Sequence, residues 1–322
     1  MTEAPDRVAT RSGLVRLRVR VTGIVQGVGF RPFVHGLAVE RGLAGLVGND
    51  TRGVRIEVEG PPEQVSGFLA DLRRKAPALA VVESVDADPV PAQGDRGFVI
   101  VASTAAGGRT ALVPPDSATC EDCLREMDDP RDRRFGYPFV NCTACGPRFT
   151  IVTGVPYDRP LTTMSGFTMC ADCAREYDDP GDRRYHAQPV CCPTCGPALR
   201  LLTSTGERVP GGEPLGAAAD LLRSGAVLAV KGIGGHHLAA VAGDETAVSA
   251  LRARKHREDR PFAVMAADLA QASDLGRVDD AAAAALTDRR RPIVLLPRRD
   301  GAPVARSVAP GNRHLGVMLP YT

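Results

Sequence analysis

A chain of 322 residues is long for one domain, and two or three are expected. With 43% apolar and 24% charged residues it can build real cores, which excludes global disorder. Forty basic residues against 38 acidic leave +2, too little to point to nucleic acid, and neither a bilayer-spanning apolar run nor an apolar leader in MTEAPDRVATRSG is present.

Residues 1–13 read as a disordered polar tail. Residues 14–103 alternate strand and helix patterns. LVRLRVRVTG has the period of a strand, and RPFVHGLAVERG that of a helix with Phe33 and Leu37 on one face. Leu46–Asn49 and Val54–Val58 are short strands joined across the turn signal DTRG. PPEQVSGFLADLRRKA opens on Pro and continues as a helix, then Val81–Val85 and Phe98–Val101 complete the set. The order β-α-β-β-α-β predicts a ferredoxin-like α+β domain. AAGGRTALVPP reads as a linker.

Within a second region, 104–200, residues 116–200 are poor in long apolar runs and need another source of stability. From about residue 211 an α/β rhythm returns within a third region, 201–322. LGAAADLLRSG is a helix, AVLAVKG a buried strand, TAVSALRARKHR a helix, PFAVMA a strand, AAAAALTD a helix and RPIVLL a strand. The last residues, VMLPYT, are apolar, which suggests a fragment of a longer protein.

All nine cysteines lie between 120 and 195. The spacing Cys120-x2-Cys123-x18-Cys142-x2-Cys145 recurs as Cys170-x2-Cys173-x18-Cys192-x2-Cys195. Sixteen of 28 positions are identical between 120–147 and 170–197, so the segment is duplicated. Paired CxxC knuckles suit a tetrahedral Zn²⁺, and with four thiolates per site no position stays open for water. Two structural zincs are therefore expected, with each half closing on itself or the knuckles paired across halves. Redox CxxC pairs are the blander reading. Cys191 breaks the repeat and reads as a spare thiol. The repeated DDP-x-DRR (Asp128–Arg134, Asp178–Arg184) reads as turn and surface ion-pair chemistry. Clustered thiols without a leader point to a reducing cytoplasm.

The first strand runs into Gly23-Ile24-Val25-Gln26-Gly27-Val28-Gly29-Phe30-Arg31 before a helix. Such a loop can turn backbone N–H groups toward an anion, with Arg31 as a fork; packing glycines give the same pattern. The segments G-x-V-Q-G-V-x-F-R and G-L-V-x-N-x-x-x-G-V (Gly45, Leu46, Val47, Asn49, Gly53, Val54) resemble the two signatures of acylphosphatases. The resemblance implies that Arg31 and the 26–31 loop (Gln26, Gly27, Val28, Gly29, Phe30, Arg31) bind phosphate and that Asn49 positions the attacking water.

In the third region, Lys231-Gly-Ile-Gly-Gly-His-His ends a strand, and Lys255-His-Arg-Glu-Asp-Arg-Pro follows a helix. By charge alone these are solvated turns. KGIGGHHL, RKHREDRPFAVM, RRPIVLL and APGNRHLGVMLPYT resemble a YrdC-like α/β domain, incomplete at its C-terminal side. The order acylphosphatase-like, C-x2-C-x18 fingers, YrdC-like, with PDSATCEDC, YPFVNCTACGPRFT and YDRPLTTM, is similar to the N-terminal part of the HypF family of carbamoyltransferases in [NiFe] hydrogenase maturation. The resemblance covers residues 14–322. It implies hydrolysis of carbamoyl phosphate to carbamate and adenylation of carbamate with ATP and Mg²⁺. Transfer to the C-terminal cysteine of a HypE-like acceptor would follow, in a further domain. Lys231, His237, Lys255, Arg257 and Arg260 are then the candidate nucleotide and carbamoyl-adenylate contacts. Family members commonly carry Phe at the place of His236. Only the hydrolytic step is expected of this stretch alone, with no nucleic acid and no membrane involved. The rival readings are a stand-alone acyl-phosphate hydrolase and a zinc-knuckle module that grips RNA or protein through Arg133, Arg134, Arg183, Arg184, Tyr137 and Tyr185.

Overall fold

The computed structural model describes residues 13–105, 108, 110–210 and 212–322. The expected tail, apart from Gly13, and part of the expected linker lie outside these residues. The chain divides into two compact units, Met1–Asp116 with Asp122–Gly196, and Ser117–Glu121 with Pro197–Thr322.

In the first unit, β1 (Val15–Ile24) alternates as its sequence demands, with Val19 and Val21 fully buried on either side of the half-buried Arg20. Then come α1 (Phe30–Glu40), β2 (Ala44–Asp50), β3 (Gly53–Gly60), α2 (Pro62–Arg74), β4 (Val81–Val90) and β5 (Phe98–Ile100). The sheet order is β4-β1-β3-β2-β5. β1 pairs antiparallel with β3 and β4, and β2 antiparallel with β3. The short β5 adds in parallel, with Gly45 opposite Phe98. Val34 and Leu37 of α1 and Phe68 and Leu72 of α2 meet Val47, Ile56 and Val58 of the sheet in one core. Each such fully buried side chain contributes roughly 1.5–3 kcal/mol. This is the expected ferredoxin-like βαββαβ fold.

Two local devices place the end of β2. The Asp50 carboxylate accepts from the backbone N–H of Arg52 (2.8 Å) and Gly53 (3.0 Å), closing the turn. Gly53 sits where a Cβ would come within 2.3 Å of the Val21 carbonyl oxygen, so only glycine fits. Asn49 is thereby held one residue before a rigid corner.

The cysteine-rich part of this unit holds two matching helices, α3 (Glu121–Asp128) and α4 (Ala171–Asp178). Neither was legible as a helix, because the buried residue of each is a cysteine (Cys123, Cys173) in place of an aliphatic stripe. Its apolar clusters are small and are built around Cys173, Val190, Cys191 and Cys192.

The second unit contains α5 (Pro214–Arg223), a hairpin of β6 (Leu228–Gly232) and β7 (Gly235–Ala239), and α6 (Glu245–Arg254). It continues with β8 (Ala263–Met265), α7 (Leu269–Leu275), α8 (Asp280–Thr287), β9 (Val294–Pro297) and β10 (His314–Met318). β10 lies centrally, parallel to β8 and antiparallel to β9. Leu275, Leu286, Leu296, Leu315 and Val317 form its core. Asp244, Asp268 and Asp279 cap α6, α7 and α8 through their carboxylates. The expectation of a buried strand at AVLAVKG needs correction. β6 is mostly exposed (Val230 is 46% exposed), because it pairs only with β7. An apolar run reports that a strand tolerates burial, not that this chain supplies the cover. Among the described residues, no helix is long and apolar enough to cross a membrane.

Candidate active site and metal centres

The eight repeated cysteines gather into two groups, Cys120, Cys123, Cys142, Cys145 and Cys170, Cys173, Cys192, Cys195. Each half closes on itself. In the first, Cys142 and Cys145 Sγ are 3.8 Å apart, and Cys145 and Cys123 Sγ 3.5 Å. In the second the corresponding separations are 3.8 and 3.6 Å, with Cys170 to Cys192 at 3.7 Å. A tetrahedron with metal–sulfur bonds of about 2.3 Å has edges of about 3.8 Å. Disulfide sulfurs would sit near 2.05 Å, so these cysteines are not paired in disulfides. The residues thus fit one four-coordinate thiophilic ion per half, with no ligand position left over.

The DDP-x-DRR motifs do more than turn the chain. Asp132 and Asp182 accept from the N–H of Arg134 and Arg184, as turn residues do. Arg131 and Asp129 form the expected surface pair (3.0 Å), but Arg134 and Arg184 do not, which corrects that part of the expectation. Arg134 and Arg184 are 1% and 3% exposed. Arg134 donates to Glu176 (3.0 and 2.5 Å) and to the Cys191 carbonyl (3.0 Å), while Arg133 donates to Cys173 Sγ (3.3 Å). Fifty residues on, Arg184 donates to Glu126 and to the Asn141 carbonyl (3.0 Å), and Arg183 to Cys123 Sγ (3.2 Å). Each half therefore clamps a ligand thiolate of the other. A four-thiolate site with a divalent ion carries net negative charge, and these guanidiniums offset it. Burial pushes the Glu176 carboxyl up, but hydrogen bonds and charge from Arg134 and Arg133 outweigh it and bring the group down to about 2. Of the residues that an RNA-gripping reading would use, Arg134, Arg184, Tyr137 and Tyr185 are buried. Cys191 is buried, with Tyr137 Oη 3.6 Å from its sulfur.

The predicted phosphate loop crosses from β1 to α1 with Gly27 and Gly29 in the left-handed region (φ +67° and +75°). Gln26 is a strut. Its Nε2 donates to the Asp50 and Gly53 carbonyls (2.7 and 2.8 Å), and its Oε1 accepts from Tyr157 N–H (2.8 Å). Val28 and Phe30 are core residues. Arg31 and Asn49 line one partly open cavity of about 20 Å³. That is room for about one water. Arg31 is 8% exposed and donates to Asp158 Oδ1 (2.8 Å) and Ser103 Oγ (3.3 Å). Asn49 is 1% exposed, and neither its Nδ2 nor its Oδ1 has a protein partner among the described residues.

Sequence reasoning missed Arg148. It is 1% exposed, and all five of its N–H donors meet carbonyl oxygens. Four belong to Cys142, Thr143, Cys145 and Pro147 (2.9–3.0 Å), and the fifth is Gly27 of the phosphate loop. The Cys142–Cys145 knuckle is thus tied to the loop through one side chain. Tyr157, Asp158 and His186 also face the cavity region from the cysteine-rich part. Burial, then the charge of Arg31, lowers the His186 imidazole to about 4. The only signal in the sequence was the lone basic and aromatic residues between knuckles, which no spacing rule singles out.

In the second unit, Lys231 stands opposite His236 across the β6–β7 hairpin, and His237 opposite Val230. Directly opposed residues share a face, so Lys231 and His237 lie on opposite faces. His237 Nε2 is 3.0 Å from Tyr321 Oη. Lys255 and Arg260 are exposed. Arg257 donates to the Arg260 and Pro261 carbonyls (2.9 and 2.6 Å) and packs 5.0 Å from the Phe262 ring, so it builds the loop.

The acylphosphatase family matches residues 17–100, the HypF finger family residues 119–152 and 169–202, and the Sua5/YciO/YrdC family, described as telomere recombination, residues 220–322. Carbamoyltransferase HypF2 of Cupriavidus necator is 50% identical over 311 residues, 96% of this chain and 38% of that protein. The crystal structure of full-length HypF in the phosphate- and nucleotide-bound form superposes with a TM-score of 0.92 at 42% identity, over 98% of this chain and 41% of that one. The chain belongs to the HypF carbamoyltransferase family. An acylphosphatase of Caldivirga maquilingensis is 48% identical over 89 residues, 27% of this chain and 93% of that protein. The chain spans about two-fifths of the length of the HypF relatives it matches.

Proposed function

We propose that the first unit hydrolyses carbamoyl phosphate to carbamate and phosphate, with Arg31 and Asn49 as the working pair. The observation that carries this reading is Asn49. A buried amide with both polar atoms unpaired costs roughly 1–3 kcal/mol per group, and such groups persist where a ligand or water completes them. It shares its cavity with a buried guanidinium and a loop of left-handed glycines. In the reaction, the water oxygen bonds to phosphorus as the bridging P–O bond breaks. The bond electrons leave with carbamate, and the water's proton ends on phosphate. Carbamate leaves as a carboxylate-like anion, so no strong general acid is required. Arg31 and the loop amides would stabilise the phosphoryl oxygens, while Asn49 would hold the water in line.

In the complete protein, carbamate would be adenylated with ATP and Mg²⁺ at the YrdC-like unit and passed to a HypE-like acceptor cysteine. Lys231, His237, Lys255, Arg257 and Arg260 are the candidate nucleotide contacts. The two thiolate sets would hold zinc, which closes each half and does no chemistry there. A reducing cytoplasm suits eight thiolates that are not joined in disulfides. An NMR titration with inorganic phosphate tests the site. The amides of residues 26–31 and the Asn49 side-chain NH₂ should shift together. Shifts elsewhere with these unmoved would refute the assignment.

A further inference from the structure

The wall of the Arg31–Asn49 cavity is not made by the ferredoxin-like fold alone. Tyr157 and Asp158 reach it from the stretch between the two metal sets, more than a hundred residues along the chain. The Tyr157 ring covers Gly27, where a Cβ would stand 2.9 Å from a ring carbon. Its backbone N–H is pinned by Gln26, and its neighbour Asp158 holds Arg31. The side chain is 1% exposed. Its hydroxyl is buried with no hydrogen-bond partner among the described residues. Asn49 and Tyr157, each with a buried polar group that has no partner among the described residues, are thus both residues of one cavity wall.

The chemistry left to be met decides what the phenol is for. Arg31 and the loop amides suffice for a phosphoryl group. The acyl carbonyl then remains as an acceptor without a donor. Burial raises the phenol to about 12 against the pull of Arg148, so it stays a donor throughout the working range. The Tyr157 ring packs on Gly27 at the wall of this cavity, so a bulky acyl group beside the loop would have to displace it.

We propose that Tyr157 contacts the substrate of this acyl-phosphate site. Its hydroxyl donates to the acyl end of the bound phosphate, and its ring restricts that end to a small group such as carbamoyl or acetyl. This deepens the reading of the cavity as a hydrolytic site and rests on it.

The test uses the full chain, Tyr157→Phe and Tyr157→Ala, with carbamoyl, acetyl and benzoyl phosphate as substrates and metal content as the check on folding. The parent should favour the two small acyl phosphates over benzoyl phosphate by about a hundredfold or more in kcat/KM. Tyr157→Phe keeps the ring and should lose about tenfold on carbamoyl phosphate, the effect of one hydrogen bond. Tyr157→Ala should narrow the carbamoyl-to-benzoyl ratio at least about tenfold, a change that a merely structural role would not produce. An active parent indifferent to acyl size, or a Tyr157→Phe variant as fast as the parent, would overturn the inference and leave the hydrolytic reading standing. A parent inert toward all three phosphates would overturn both.

Discussion

The reciprocal arginine clamp makes a prediction that crosses the duplication. Arg134 lies in the first half, yet its guanidinium serves the second through Glu176 and Cys173. Replacing it in Arg134→Met leaves the Cys191 carbonyl without its 3.0 Å donor and Glu176 with only Arg133, at 2.6 Å. Breaking a buried pair costs roughly 3–5 kcal/mol. Because Arg133 remains and Glu176 is 19% exposed, about 2–4 kcal/mol is expected here. Arg125→Met is the control. Its pair with Asp122 is exposed on both sides, and the loss should stay within about 0.5 kcal/mol. The assay is iodoacetamide labelling mapped by mass spectrometry, with metal content followed in parallel. In Arg134→Met, Cys170, Cys173, Cys192 and Cys195 should label first and at least about tenfold faster than in the control. Labelling that begins at Cys120–Cys145, or no difference from Arg125→Met, would refute the clamp.

Arg148→Met should keep both metals while lowering affinity for inorganic phosphate at least about tenfold, because Gly27 loses its tether; calorimetry of phosphate binding checks this. Asp158→Asn removes the carboxylate that holds Arg31, so inorganic phosphate should become a several-fold tighter competitive inhibitor, read from its inhibition constant. His186 titrates near 4 in the folded chain against about 6.5 unfolded, so the unfolded chain binds more protons between those values. Stability from its burial is complete above pH 6.5 and is lost as pH falls toward 4. Denaturation midpoints across that window should fall less steeply in His186→Gln than in the parent.

The sequence carried the parts whose physics is local. Period-two strands, the DTRG turn and the Gly-rich loop marked β1 to β3, while the pairing of Arg31 with Asn49 came from the resemblance to acylphosphatases, and both residues line one cavity. The repeat of cysteine knuckles marked the eight ligands but left their pairing open, and the structure groups them within each half. What could not be read was long-range. Arg148 to Gly27 spans 121 residues and Arg31 to Asp158 spans 127, and no periodicity encodes such pairs. The helices α3 and α4 hid because metal ligands replace their apolar stripe. The DRR motifs looked like surface chemistry because charge reads as exposure until its partner is known. β6 looked buried for the opposite reason, since apolar composition says nothing of what lies above a strand.

Phosphate release from carbamoyl phosphate by this chain, compared with Arg31→Ala, tests the central claim most directly. Turnover by the parent and a fall of about a thousandfold in the variant, with two metals retained in both, is the predicted result. Equal turnover by both proteins would take Arg31 out of the mechanism and contradict the account.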